Sequence, residues 1–398
     1  MRIAHLIPYL GRAQGGPVFG LASFANALAD SGCDVEVFTF RQPADGPLVA
    51  MPPNVQVRAF DGSGWGSFRR CPALGRALSQ AGCELVHSHG LWTGVHHAAA
   101  VQARQQGLPH LLAPCGMLAP GALRHHWWKK VPVRLWFQDH ALREAACLHA
   151  KSQKECEDIR RFGLRNPVAI IPNPIAPPPA PKAEILKAEK LKSRRTVLYL
   201  GRLHPVKGVA RLVEAWAQIQ KQKAESRKQK SDFCPLPSDL WSLVIAGPDE
   251  AGMRPGLEAT LREAGCSDSV IFTDQLDEEQ KWAAYRAADL FVMPSDFENF
   301  GNAIVEAMLS GLPVITTTGT PWKELSSAGA GWCVEPNVEA VRDALGAALA
   351  LTDDTRQAMG RRAAALAAKF SPEQAGADLI QVYEWLLGRG PRPGCVVM

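Results

Sequence analysis

Between Asp289 and Thr318 the chain leaves few choices of local fold. Asp289-Leu290-Phe291-Val292-Met293 is a short apolar run that reads as a buried strand, and Pro294-Ser295 end it. Phe297-Glu298-Asn299-Phe300-Gly301 makes a tight turn into a helix from about Asn302 to Ser310. Gly311 stands where a helix C-cap glycine belongs, and Pro313 blocks further helix. Val314-Ile315-Thr316 then opens the next strand. Strand, turn, helix and strand in this order form a parallel βαβ unit, so the expected fold class is α/β.

Two carboxylates, Glu298 in the turn and Glu306 in the helix, lie in this unit. The first N–H groups of the helix, near Phe300, Gly301 and Asn302, favour a phosphate, and Gly301 lets a ligand approach the backbone. A carboxylate suits a vicinal diol because its two oxygens can accept both O–H donors. The unit therefore fits a diphosphate at the helix start with sugar hydroxyls on the acids. The plainer alternative has Glu298 complementing the helix dipole and Glu306 as a solvated charge.

At 398 residues, two domains are expected, and 46% apolar residues suit a globular chain. No run of about 18 apolar residues occurs, so no transmembrane helix is expected. The N-terminal apolar run, Ile3 to Pro8, is too short for a secretory signal and reads as the first buried strand. The ten cysteines form no CxxC pair, which argues against zinc and redox motifs and for reduced core thiols in a cytoplasmic protein. The net charge of +5 is uneven: residues 1–180 hold 18 Lys and Arg against 11 Asp and Glu, the remainder 26 against 28. The basic half suggests an anionic partner, or simply a soluble surface.

Strand Ile3–Ile7, a loop with Gly11, Gly15 and Gly16, a helix near Val18 to Asp30 and strand Val35–Phe40 make a Rossmann-like opening. The loop is G-x-x-x-G-G, and no acid ends the second strand, which argues against a dinucleotide-dependent dehydrogenase. Gly15 and Gly16, at a helix start, can face a phosphate or serve the turn alone. His87-x-His89 ends another strand; with no third ligand near in sequence it reads as structural, and no metal site is expected. Residues 124–136, rich in Trp and Lys/Arg, fit a membrane interface or a buried aromatic flank with a basic face; stacking on nucleic acid is the weaker fit.

Ser152 and Glu155 read as a capping box, and residues 176–182, APPPAPK, as a stiff linker. After strand Thr196–Leu200, Gly201-Arg202-Leu203-His204-Pro205-Val206-Lys207-Gly208 lacks the Walker pattern, which disfavours an NTPase, yet Arg202 and Lys207 can grip a diphosphate. A helix through Trp216 follows, then a charged stretch, 220–239, expected as an exposed insertion. The C-terminal Cys395-Val396-Val397-Met398 has the form of a prenylation box but is read as chance.

The stretch from Pro294 to Ile315 resembles the E-x7-E signature of retaining, GT-B-fold glycosyltransferases of family 4. It matches at Pro294, Ser295, Glu298, Phe300, Gly301, Glu306, Ala307, Met308, Gly311, Pro313, Val314 and Ile315. Gly201-Arg202-Leu203 with Lys207-Gly208 resembles the family's G-R-L-x-x-x-K-G motif, and Pro114-Cys115-Gly116-Met117-Leu118 resembles a loop of its surface-polysaccharide subgroup, with Cys115 where many members carry histidine. The resemblance implies two Rossmann-like domains facing across a cleft: an acceptor domain over 1–180 and a donor domain over 181–372. A helix in 373–398 would return to the first domain and end in a flexible tail. It implies sugar transfer from a UDP-, GDP- or ADP-sugar to a hydroxyl of a saccharide or lipid-linked saccharide, with retention and without a metal or other cofactor, in cell-surface polysaccharide or lipopolysaccharide synthesis. Arg202, Lys207 and Glu298 would be catalytic. Gly15, Gly16, Phe300, Gly301, Asn302 and Glu306 would join Arg202 and Lys207 in binding the donor. Retaining hydrolases set two working carboxylates ~5 Å apart, whereas here both acids are assigned to binding. A GT-B epimerase of nucleotide sugars and a non-catalytic nucleotide-sugar-binding subunit are the alternatives. The expected location is cytoplasmic, with peripheral contact to the inner membrane face through 124–136.

Overall fold

The computed structural model describes all residues except 12–14, 42–47, 64–70, 180–194 and 230–240. The chain divides into two compact units, residues 1–176 with 370–398, and residues 177–369.

The first unit is built on β1 (Arg2–Leu6), β2 (Asp34–Phe40), β3 (Gln56–Phe60), β4 (Leu85–His89), β5 (His110–Ala113), β6 (Cys147–Ala150) and β7 (Val168–Ile170). Their sheet order is β7-β6-β5-β4-β1-β2-β3, all parallel. β1, β4, β5 and β6 are buried almost throughout, as expected for a sheet covered on both faces. One face packs Val18, Leu21, Phe24 and Leu28 of the helix Gly16–Asp30, and the other packs Leu74, Leu78, Val95 and Ala99. The helix Pro372–Leu386 adds Leu379, Val382 and Tyr383 to the first of these cores. The tail expected to be flexible instead ends in a short strand, Val396–Val397, paired antiparallel with β7. Pairing satisfies backbone groups on a sheet edge that would otherwise lie open.

The second unit continues with β8 (Arg195–Leu200), β9 (Trp241–Ala246), β10 (Val270–Thr273), β11 (Leu290–Met293), β12 (Val314–Thr317) and β13 (Gly331–Val334), all parallel, in the order β10-β9-β8-β11-β12-β13. Its core sets Trp216 and Trp241 against Leu243, Ile245, Val292 and Leu345. The helix after β8 spans Val209–Gln229, so the first half of the charged stretch prolongs it. Its composition of Gln, Lys, Ala, Glu and Arg is helix-forming, and charge alone misread it as an insertion. Residues 230–239 of that stretch, and 180–182 of the linker, lie outside the described residues.

Each sheet reverses its strand order once, between β1 and β4 in the first unit and between β8 and β11 in the second. In open parallel sheets the crevice at such a point, outside the carboxyl ends of the strands, is where ligands bind.

Candidate functional site

In the second unit the two loops that flank the reversal carry the residues singled out in the sequence. β8 runs into Gly201 and Arg202; β11 runs into Ser295–Gly301 and the helix Asn302–Leu309. After β8 the chain makes a single turn at Pro205–Lys207, capped by His204, whose Nδ1 accepts from Val206 N–H at 3.2 Å. Gly208 follows with φ +68°, and a Cβ there would meet the Pro294 carbonyl oxygen at 2.0 Å, so only glycine fits. The turn is held to the neighbouring loop at several points. Asp296 N–H donates to Val206 O at 2.8 Å, and Arg211 donates to Pro294 O and to the Asp296 carboxylate, each at 2.7 Å.

This packing brings Lys207 onto Glu298. Lys207 Nζ lies 2.6 Å from Glu298 Oε1, which also accepts from Ser295 Oγ at 2.9 Å. Glu298 is buried and Lys207 is 17% exposed. Two residues predicted as cation and acid of one site thus meet across 91 positions of sequence. Gly301 caps the following helix with φ +85° and ψ 65°, a left-handed conformation that glycine adopts without strain. Trp322 Nε1–H donates to Phe300 O at 2.6 Å and holds the turn from behind. Phe300, Gly301 and Asn302 therefore open a helix whose positive end adjoins the Lys207–Glu298 pair.

Glu306 is placed on the same helix, but with partners the sequence did not suggest. Its Oε1 accepts from Lys281 Nζ and its Oε2 from Tyr285 OH, both at 2.9 Å. Burial and the Glu306 carboxylate raise the Tyr285 hydroxyl well above its ordinary value, so it stays a donor. Burial lowers Lys281, but Glu306 and Glu278 more than offset it and its pKa ends raised. Each carboxylate oxygen keeps a second lone pair for a ligand hydroxyl. Lys281 and Tyr285 stand one turn apart on the helix Glu278–Ala287, an i, i+4 pair that spacing alone could have flagged. Arg202 does not join the Lys207–Glu298 pair: its Nη1 donates to Glu250 Oε2 at 2.7 Å, and both side chains are partly exposed. Gly15 and Gly16 belong to the other unit, where Gly15, with φ +68°, caps the helix Gly16–Asp30.

The first unit gathers a second cluster at its own reversal point. The register of β1 with β4 sets His5 beside His87, and β6 contributes His149. The reading of His87-x-His89 as lacking a third imidazole is thereby corrected: parallel pairing supplies it from 82 residues away. Cys115 has φ +54° and its thiol, pushed up to about 12 by burial, is a neutral group without acid–base use near pH 7. Ser152 caps the helix Gln153–Arg161, while the Glu155 carboxylate accepts from the N–H groups of Gly116 (2.6 Å) and Lys151 (2.7 Å), tying the Cys115 loop to β6.

Two parallel-sheet units of this kind are the architecture of GT-B glycosyltransferases. Solved structures share that fold. Sucrose-phosphate synthase from Thermosynechococcus elongatus has a TM-score of 0.74 at 21% identity, over 98% of this chain and 99% of that one. HepE from Anabaena, in complex with UDP and glucose, has a TM-score of 0.71 at 18% identity, over 97% and 100%. Residues 182–366 match the family described as glycosyl transferases group 1, and residues 15–174 match the glycosyl transferase 4-like domain. The chain belongs to this family of glycosyltransferases, the family 4 type, and is a transferase. A D-inositol 3-phosphate glycosyltransferase of Streptomyces scabiei is 26% identical over 404 residues, covering 94% of this chain and 87% of that relative.

Proposed function

We propose that the protein moves a sugar from a nucleoside-diphosphate sugar to a hydroxyl of a saccharide or lipid-linked saccharide, with retention at the anomeric carbon. The observation that carries this reading is Lys207 held on Glu298 beside the start of the helix Asn302–Leu309, at the strand reversal. As the glycosidic C–O bond breaks, negative charge develops on the diphosphate. Lys207 and the helix start supply fixed positive potential there, and Arg202 adds to it on turning from Glu250. Glu306, oriented by Lys281 and Tyr285, accepts from a diol of the nucleoside. Glu298 accepts from sugar hydroxyls while its Oε1 stays tied to Lys207 and Ser295, a binding role rather than that of a nucleophile. The cations serve in place of a metal, and no further cofactor enters this reading. That HepE was solved with UDP and glucose supports a donor of this class.

The lipid-linked acceptor is supported by the surface over residues 124–136. Trp127, Trp128, Leu135 and Trp136 are 63%, 59%, 83% and 50% exposed, on two short helical segments that also carry Lys129, Lys130 and Arg134. Indole rings at headgroup depth with cations on lipid phosphates suit peripheral contact with an anionic bilayer. No helix of the described residues is long and apolar enough to cross a membrane.

The test is a thermal-shift screen against UDP-, GDP- and ADP-sugars, followed by NMR of the product's anomeric configuration. One donor raising the melting temperature in the wild type, and not in Glu306→Gln, supports the proposal. Equal shifts in both proteins, or an inverted product, overturn it.

A further inference from the structure

The first unit buries four imidazoles around one tyrosine, and their hydrogen bonds can be followed in one direction. His149 Nε2 lies 2.8 Å from the Ile171 carbonyl, which can only accept, so this nitrogen carries the proton. His149 Nδ1 then accepts from His87 Nε2 at 3.2 Å, His87 Nδ1 from Tyr383 OH at 2.7 Å, and the Tyr383 oxygen from His5 Nε2 at 3.4 Å. His5 Nδ1 is left to accept from His89 Nε2 at 2.9 Å. Followed this way, the chain places one proton on each ring, the neutral form. Neutral imidazole is the form that ligates metal ions.

His5, His87 and His89 each offer one ring nitrogen, and the three atoms lie within 4.8 Å of one another. We propose that these three histidines form a binding site for a divalent transition-metal ion of the zinc, nickel, copper or cobalt class. An all-nitrogen set excludes the hard cations magnesium and calcium, which take oxygen ligands. A tetrahedral zinc with Zn–N of about 2.0–2.1 Å separates its ligands by roughly 3.3 Å. The 2.9 Å between His5 Nδ1 and His89 Nε2 opens to that spacing with a small shift, His89 carries its proton on Nδ1 instead, and His87 gives up one of its hydrogen bonds, to His149 or to Tyr383, to free a nitrogen. Tyr383, within hydrogen-bond reach of both His5 and His87, orients two of the rings, the part that outer-shell groups play at metal centres. His89, at 3% exposure on the carboxyl end of β4, is the most accessible of the three. Lys151, whose Nζ is 3.3 Å from His149 Nδ1, opposes a cation nearby and weakens its binding. This inference is independent of the donor site, which lies in the other unit.

The test uses the full chain, stripped with chelator and dialysed at neutral pH against micromolar zinc and, separately, cobalt. About one equivalent of zinc, a rise in melting temperature, and the visible spectrum of nitrogen-ligated, four-coordinate cobalt are expected. His89→Gln should lose bound metal while keeping its circular dichroism. A His125→Ala/His126→Ala double variant, which removes an exposed surface pair with ring centroids 4.0 Å apart, should keep it. Absence of zinc from the wild type, retention in His89→Gln, or loss with the surface pair overturns the proposal. Should His89→Gln fail to fold, the wild-type cobalt spectrum decides, since six-coordinate oxygen ligation would also overturn it.

Discussion

Lys207 and Glu298 form a partly buried ion pair between the turn after β8 and the turn after β11, with Nζ 2.6 Å from Oε1. In the proposed reaction the pair pre-sets the cation beside the helix start, so a diphosphate would meet an ammonium already in place, without the cost of ordering it at the moment of reaction. Lys207→Ala is expected to lower kcat/KM by about 10²–10³, with the loss mainly in kcat. It also leaves Glu298 Oε1 with the Ser295 hydroxyl in place of an ammonium and is expected to cost about 1–3 kcal/mol of stability. Steady-state kinetics with denaturant unfolding checks both, and unchanged kcat would remove Lys207 from the reaction.

Tyr285 supports Glu306 without standing in the reaction's path. Tyr285→Phe removes one donor from Oε2 and leaves Lys281 on Oε1. The donor KM should rise about 3–10-fold, a loss near that of one hydrogen bond, with kcat little changed. A fall in kcat at constant KM would mean that Tyr285 acts on the chemical step instead.

Gly208 and Gly301 both have positive φ but differ in what surrounds them. A Cβ on Gly301 would meet Ile304 Cδ1 at 3.1 Å, the end of a side chain that can turn away; a Cβ on Gly208 would meet the backbone of Pro294 at 2.0 Å. Gly301→Ala should therefore cost about 1–2 kcal/mol, whereas Gly208→Ala should separate the two loops and release Lys207 from Glu298. Melting temperatures rank them, and Gly208→Ala as the milder change would contradict the packing described.

His110, buried on β5 with Nε2 2.8 Å from Ser88 Oγ, is lowered to about 3 by burial. An unfolded histidine titrates near 6.5, so below that pH the unfolded chain binds a proton that the folded chain refuses. The stability from the neutral ring is complete above pH 6.5 and is lost progressively as the pH falls toward 3. His110→Gln, which keeps a partner for Ser88, should show a shallower fall of stability between pH 6.5 and 4. Parallel profiles for the two proteins would rule out this contribution.

What the sequence disclosed was local. The strand, turn, helix and strand from Leu290 to Thr317 stand close to where apolar runs, Gly311 and Pro313 place them, because each signal acts within a few residues. Lys207 and Glu298 were each legible as a ligand group, but their pairing depends on β8 and β11 lying side by side, a long-range choice. The same holds for His5 beside His87 and for Lys281 and Tyr285 on Glu306, where nothing near one residue names its partner. The C-terminal strand went unseen because two residues, Val396 and Val397, carry no periodicity to read.

Leu379, Val382 and Tyr383 complete a core begun by Ile3, Leu21 and Phe24. A ribosome adding about 5–20 residues per second thus releases the first half of the chain well before the helix that finishes it. The later-made unit can close on its own stretch of polypeptide, while the earlier one waits unfinished, with apolar surface uncovered, until the helix Pro372–Leu386 has been made. Birth order and completion order are therefore opposed in these two units: Ile3, Leu21 and Phe24 are made before the second unit and become secure after it.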